Sequence, residues 1–232
     1  MALRTATVRA FHSVSGLVHG FEQRGPVDGN ESGEESRARV AHALEGAGRL
    51  LLLRQVHGTA VVEAPWDDAP LADAAVAVAP GLLLGIQTAD CLPILLVDPR
   101  RSFVAAAHAG WRGTAAGVAA RAVESLVARG SRPEDLIAGL GPCVGPCCYE
   151  VGDEVREAFG PGGAGFFRPG PNGRPHLDVR AANAQELLDA GLRREALHHV
   201  ADCTRCRPEL YHSYRRDGRG CGRMISFVGF RR

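Results

Sequence analysis

The sequence predicts an α/β fold (of the α+β kind) built on mixed sheets, and three observations carry that expectation. Several strand-like segments follow one another before the first long helix. The hydrophobic pattern then changes from strand-like runs to a helical repeat at Thr114. An apolar run, Met224–Phe230, closes the chain as a further strand. Strict strand–helix–strand alternation is absent, which argues against a dinucleotide-binding arrangement.

The elements follow in order. Glu34–Leu44 is a helical candidate near the N-terminus. Leu50–Arg54 and Ala60–Glu63 are short strands, and Asp73–Ala79 alternates small and branched residues as a strand does. Leu82–Gln87 and Leu92–Val97 are continuous apolar runs, as in strands buried on both faces, and Ser102–Ala107 is strand-like again. Thr114–Arg129 places Val118, Ala122, Val123, Leu126 and Val127 on one helical face, with Gly130 at the C-cap position. Leu136–Leu140 returns to strand, and Val151–Phe159 is a short helix. Gly160–Arg174 is a loop rich in glycine and proline. Asp178 can cap a helix from Val179 to Leu192. Domains usually run to about 100–200 residues. The only linker-like stretch, Gly160–Pro175, reads as a surface loop, so residues 1–232 are expected to form one domain.

Composition excludes several chemistries. All 27 basic residues are arginine. There is no lysine for a Schiff base, a pyridoxal-phosphate anchor or a lysine-ended phosphate loop. Any fixed positive charge must be an arginine, which suits planar, bidentate partners such as phosphate and carboxylate. The net charge of +1 gives no global pull toward nucleic acid or membrane. No signal peptide or membrane span is expected, because the longest uncharged stretch, Ala74–Ala89, is interrupted by Pro80, Gly81, Gly85 and Gln87. With an odd count of seven cysteines and no secretory marker, a cytoplasmic protein with reduced thiols is expected.

Three residues at the ends of apolar runs are candidates for chemistry. His57 lies in Arg54-Gln55-Val56-His57-Gly58, Cys91 in Thr88-Ala89-Asp90-Cys91-Leu92-Pro93, and His108 in His108-Ala109-Gly110-Trp111-Arg112-Gly113. Strand ends of this kind line ligand crevices in α/β proteins. Two imidazoles and one thiolate form a set that zinc accepts, and three protein ligands leave a fourth position open, which is the catalytic pattern. Their separations of 34 and 17 residues provide no local register. A buried small hydrophobe at Cys91 and hydrogen-bonded histidines are the bland alternative. Arg112, next to a helix start, and Arg54, beside His57, could grip a phosphate.

Other clusters carry less. Cys143, Cys147 and Cys148 fall in one glycine- and proline-rich segment, Cys203 and Cys206 form a C-x-x-C, and Cys221 follows. Packing or a loose secondary metal site is expected there, since the C-x-x-C lacks a redox context. The last 26 residues hold seven arginines interleaved with Tyr211, Tyr214, Phe227 and Phe230. That pattern could serve RNA, but a turn at Ser213–Gly218 whose arginines pair with acids or line a site is favoured.

Taken together, these motifs resemble the YfiH-type family of purine nucleoside enzymes, also labelled laccase-domain or polyphenol oxidase proteins. The segments around His57, Cys91 and His108 are followed in order by Gly141-Pro142 through Tyr149-Glu150-Val151, and by Ser213-Tyr214-Arg215-Arg216-Asp217. The resemblance runs from about His19 to the end. It implies a single-domain four-layer α/β/β/α sandwich and zinc bound by His57, Cys91 and His108. It also implies phosphorolysis of purine nucleosides, including adenosine, inosine and methylthioadenosine, with deamination of adenosine. Phosphate and purine nucleosides are then the partners. Read from the residues themselves, Arg54, Gln55 and Arg112 are placed on the substrate, Cys91 and His108 are catalytic, and Asp90, which adjoins Cys91, is a candidate proton carrier. No protein partner is implied. Two departures stand out. Gly20-Phe21-Glu22-Gln23-Arg24-Gly25-Pro26-Val27 replaces the family's usual N-terminal segment. Cys221 and His212 stand where a threonine and an aromatic residue are usual.

Three other functions are weighed against this one. A copper oxidase of phenols is disfavoured, because a blue-copper site adds a weak axial Met and only Met1 and Met224 exist, with nine scattered histidines. A cysteine-dependent hydrolase would use Cys91 as nucleophile and His108 as base. A non-enzymatic RNA-binding module would use the arginine-rich C-terminus.

Overall fold

The computed structural model describes residues 3–24 and 33–232. Gly25–Val27 of the divergent N-terminal segment lie outside the described residues. Two mixed sheets and the helices on their outer faces form the framework. The first sheet contains β1 (Thr5–Ala6), β2 (Leu17–Glu22), β3 (Arg49–Leu52), β6 (Leu82–Thr88) and β13 (Met224–Phe230), in the order β1-β2-β13-β6-β3. The second contains β4 (Val61–Glu63), β5 (Ala74–Ala77), β7 (Leu92–Asp98), β8 (Phe103–Ala109), β9 (Ile137–Leu140) and β12 (Leu197–His199), in the order β12-β9-β7-β8-β5-β4. Each sheet mixes orientations. β3 runs parallel to β6, while β13 is antiparallel to both of its neighbours; β4–β5 and β12–β9 are parallel inside an otherwise antiparallel sheet.

Side-chain alternation along the central strands builds the layers. On β7, Leu95 and Val97 face the first sheet, where they meet Leu84 and Ile86 of β6 and Val228 and Phe230 of β13. Ile94 and Leu96, one residue out of step, face the opposite way and pack on helices. Those helices are α4 (Val118–Val127), through Val118, Ala122 and Leu126, and α6 (Val179–Asp189), through Val179 and Leu187. On the far side of the first sheet, α2 (Gly33–Ala43) lays Val40 against Leu83, Ile225 and Phe227. The result is helix, sheet, sheet and helix, the four-layer sandwich expected above. Alanines on β5 and β8 (Ala75, Ala77, Ala106) are too small to fill the inter-sheet space alone; leucine, isoleucine and phenylalanine from the facing sheet fill it. No helix among the described residues is long and apolar enough to cross a membrane.

Several expectations are corrected. The helix expected over Thr114–Arg129 is two helices, α3 (Trp111–Ala115) and α4, separated at Gly117, whose φ of 88° is the left-handed conformation that glycine alone adopts without cost. Val127 is exposed, and Ala119 takes its place on the buried face. After α5 (Asp153–Phe159), the segment read as a loop over Gly160–Arg174 instead contains a 3-10 turn and β10 (Phe167–Pro169), which pairs with β11 (Pro175–Leu177) as a short hairpin. The turn expected at Ser213 is a short helix, α7 (Tyr214–Asp217), capped by the Ser213 hydroxyl, which accepts from Arg216 N. The cap at Asp178 is present, its carboxylate accepting from Ala181 N at 3.0 Å. Short α1 (Arg9–His12) and strands β1, β2 and β12 were not anticipated.

Candidate metal centre

The chain brings His57 and Cys91, on two links between the sheets, together with His108 at the end of a strand of the second sheet. His57 lies in the link from β3 of the first sheet to β4 of the second. Cys91 ends the three-residue link between β6 and β7, and His108 lies near the end of β8. One ligating atom from each residue comes within 4.8 Å of the other two. The two imidazole rings meet edge to face, 4.8 Å between centroids.

A residue not singled out in the sequence organises this arrangement. Asp73, fully buried immediately before β5, accepts hydrogen bonds from the backbone N–H groups of Val56 (3.1 Å), His57 (2.9 Å) and Gly58 (2.7 Å). The same carboxylate faces His108 Nδ1 at 2.8 Å. Nδ1 therefore carries the proton toward Asp73, and Nε2 is left as the ligating atom, the carboxylate–histidine pairing that orients metal ligands. The three N–H donors wrap the loop around the carboxylate and hold His57 at a φ of 62°, in the left-handed region. Burial alone would raise the Asp73 pKa; hydrogen bonds from His108 and the loop N–H groups outweigh it and hold the group below its usual range. Burial would likewise push the Cys91 thiol up, but His108 and His57 beside it bring it down to about 6. His108 moves the other way: against the effect of burial, Asp73 and Cys91 raise it to about 9. Without metal the set is thus a thiolate beside a protonated, oriented histidine; a metal would displace the His108 Nε2 proton, and these residues fit a tetrahedral metal with one position left for a substrate or water.

Gly110 makes room for the set. A β-carbon there would lie 2.7 Å from His57 Nδ1 and 3.2 Å from Cys91 Sγ. Replacing Gly110 with alanine is expected to displace His57 and to weaken metal binding by about 10–100-fold, the range seen when ligand orientation is lost. Chelator-competition titration measures this, and unchanged affinity would show that the loop can yield. The Gly110 carbonyl is held by Thr114, whose hydroxyl donates to it at 2.9 Å and accepts from buried Asn183 at 2.9 Å, tying α3 to α6.

The three residues line a cleft of about 650 Å³, in the size range of small-molecule sites. Arg54 and Arg112 both reach it. Arg54 also donates from Nε to Ala69 O at 3.1 Å, and the Arg112 guanidinium stacks 4.2 Å above the Trp111 ring. Arg37, Arg215 and Arg223 join them on the walls, a cationic lining only partly visible in the sequence. Gln55 also lines the cleft, but its amide is engaged at both ends by the backbone of Gln87, at 2.8 Å each way. Its role there is to pin the loop before His57 to β6. Because α3 has only five residues, its dipole is weak, and the case for an anion rests on the arginines.

Asp90 borders the cleft at a φ of 87°, and both of its oxygens are engaged. One accepts from the Thr204 hydroxyl at 2.5 Å and the other from Arg215 N at 2.6 Å. Asp90 therefore ties the C-terminal segment onto the Cys91 link. Tyr149, Trp111 and Tyr214 bring aromatic faces to the same cleft, and Arg215 lies 5.2 Å from the Tyr149 ring. Of the departures noted in the sequence, Cys221 is buried and accepts from Arg223 Nη1 at 3.0 Å, so it acts on the cleft through that arginine. Glu22 is buried beneath α2, accepting from Ile225 N at 2.6 Å and pairing with Arg39 at 2.7 Å.

Residues 15–231 match the family described as multi-copper polyphenol oxidoreductase laccase. The chain belongs to this family. Among relatives of this laccase-described family, a purine nucleoside phosphorylase from Deinococcus radiodurans is 42% identical over 203 residues, covering 85% of this chain and 77% of its own. A protein named adenosine deaminase RL5, from an unknown prokaryotic organism, is 38% identical over 160 residues, covering 67% of this chain and 61% of its own. The crystal structure of YlmD from Geobacillus stearothermophilus superposes with a TM-score of 0.88 at 29% identity, covering 100% of this chain and 97% of that one. Family membership thus spans both names that the motifs suggested, the laccase label and the purine nucleoside enzymes.

Proposed function

We propose that the chain, acting as one domain, is a zinc-dependent purine nucleoside enzyme that phosphorolyses adenosine, inosine or methylthioadenosine and deaminates adenosine. The observation that carries this reading is the His57–Cys91–His108 cluster at a cleft lined by five arginines and three aromatic residues. The names of the relatives support purine chemistry, and the arginines supply what a phosphate co-substrate needs.

His57, Cys91 and His108 would hold the zinc, which when bound supplies Lewis-acid polarisation at that point of the cleft. Arg54 and Arg112 hold phosphate against the anomeric carbon, where a C–O bond forms as the C–N glycosidic bond breaks. Trp111, Tyr149 and Tyr214 offer stacking faces for the purine. Asp90, held as an acceptor by Thr204 and Arg215, is better suited to orienting a substrate N–H or hydroxyl than to delivering a proton.

The test is to incubate purified protein of known metal content with adenosine, with and without phosphate. Adenine release that requires phosphate, with inosine formed in its absence, is the expected result. Arg112→Ala is expected to raise the phosphate KM by about 10–100-fold, the loss of one charge-assisted contact of about 1.5–3 kcal/mol. Purine release indifferent to phosphate would overturn the phosphorolytic reading. Oxidation of phenols dependent on copper would favour the laccase reading.

One observation supports a second reading. Cys91, His108 and Asp73 also line up as nucleophile, base and orienting acid. A hydrolase of that kind would leave Cys91 open to stoichiometric alkylation in metal-loaded protein, whereas a ligated thiolate is shielded.

A further inference from the structure

Two pairs of cysteines far apart in sequence meet on the surface. Cys147 and Cys148 follow Pro146 in the segment after β9, and Cys203 and Cys206 lie in the segment after β12. The two segments run side by side. Cys143 and Cys203 form a parallel bridge, and Thr204 N donates to Cys143 O at 3.0 Å. The four sulfurs all lie within 4.8 Å of one another, with Cys148 and Cys206 at 3.4 Å and Cys147 and Cys206 at 3.7 Å.

We propose that Cys147, Cys148, Cys203 and Cys206 form a second, structural zinc site. Four thiolates about 2.3 Å from a tetrahedral zinc stand about 3.8 Å from each other, close to the spacing found here. A disulfide would require about 2.05 Å. Two donors face the sulfurs: Gly145 N donates to Cys203 Sγ at 3.2 Å, and Arg205 donates to Cys148 Sγ at 3.5 Å. Packing does not account for the cluster. Cys147 and Cys206 are exposed, whereas Cys143, one of the same group in the sequence, is fully buried and belongs to the core. Four soft donors at one point leave no open position, the pattern of a structural site, in contrast to the three-residue set at the cleft.

The site has a mechanical purpose. It clasps the two segments that carry the cleft's outer wall. Tyr149 directly follows Cys148. Thr204, between the other two cysteines, donates to Asp90 and accepts from Arg216 Nη1 at 3.1 Å through its carbonyl. Zinc held by these sulfurs fixes Tyr149 and Asp90 relative to each other.

Metal analysis of the full chain, purified with reductant from zinc-supplemented culture, tests the proposal. The wild type should hold two zinc equivalents. The double variant Cys203→Ser, Cys206→Ser should hold one, Cys91→Ser should hold one, and the three changes together none. Should the double variant fail to fold, alkylation mapping of the native wild type decides. Cys147, Cys148, Cys203 and Cys206 should be protected together and become reactive only when a chelator is added. A wild type with one equivalent that the double variant retains would overturn the proposal. So would thiols equally reactive with and without chelator, or a disulfide among the four in protein purified with reductant.

Discussion

Cys91→Ala is expected to remove one metal equivalent and to lower turnover by at least about a hundredfold. Even groups that merely orient a ligand cost about 10–100-fold when removed, and Cys91 supplies the only sulfur of its set. The remaining imidazoles differ in how firmly they are held. His108 is buried and fixed by Asp73, whereas His57 is exposed on a loop. Neither replaces the charge of a thiolate, which without metal helps to hold the His108 proton that a bound ion must displace. Metal content and turnover, measured on the same preparation, separate the readings. Loss of both supports the metal centre. Loss of turnover with full metal would assign Cys91 as a nucleophile, and retention of both would remove it from the site.

The next largest effect is expected at Asp73, and it combines stability with metal binding. Asp73→Asn keeps the size but replaces an acceptor with an N–H₂ group facing donors from Val56, Gly58, His57 and His108. Breaking a buried charged arrangement costs about 3–5 kcal/mol, which in a chain of this size lowers the melting temperature by roughly 6–20 °C. Metal affinity is expected to fall by about 10–100-fold at the same time. The sign of the pH dependence follows from the direction of the shift. Asp73 is held below its ordinary 3.8 in the folded protein, so its contribution is complete above that value and is lost as the pH falls through the folded pKa. The gap between wild type and variant should therefore be level at neutral pH and close in acid. Thermal unfolding across pH checks this, and a variant as stable as the wild type at neutral pH would show that the loop is held by other contacts.

Asp73 also marks the limit of what the sequence discloses. His57, Cys91 and His108 were legible because each interrupts or ends an apolar run beside glycine, proline or aspartate. At the head of the strand expected over Asp73–Ala79 the acid by itself marks no site, and its four donors come from segments 15 and 35 residues away. The one available signal was a carboxylate with no polar neighbour in Leu71-Ala72-Asp73-Ala74-Ala75. The cysteine cluster was obscured for a similar reason. Cys147-Cys148 is not a spaced pair, and its partners arrive through the pairing of β12 with β9, which no local pattern encodes. Strands of continuous Leu, Ile and Val were legible because burial on both faces leaves a composition that a surface element would not show. β2 was missed because His19, Gly20 and Glu22 interrupt its apolar pattern, and β10–β11 because proline and glycine conceal a short hairpin. The split between α3 and α4 rests on Gly117, a residue that helical periodicity tolerates at a cost of only about 1 kcal/mol.

The placement of the candidate centre where the chain passes from one sheet to the other has a consequence for the order of folding. His57 and Cys91 sit on links between the sheets, and His108 belongs to the second sheet alone. Their ligating atoms converge through the pairing of β5 and β7 with β8 and through Asp73, which accepts from the loop carrying His57 and faces His108, so the contacts that assemble the centre all fall between residues 56 and 109. Pairings of short sequence separation form sooner than those that join distant parts of the chain. The centre is therefore expected to take shape from the middle of the chain, before β13 completes the first sheet.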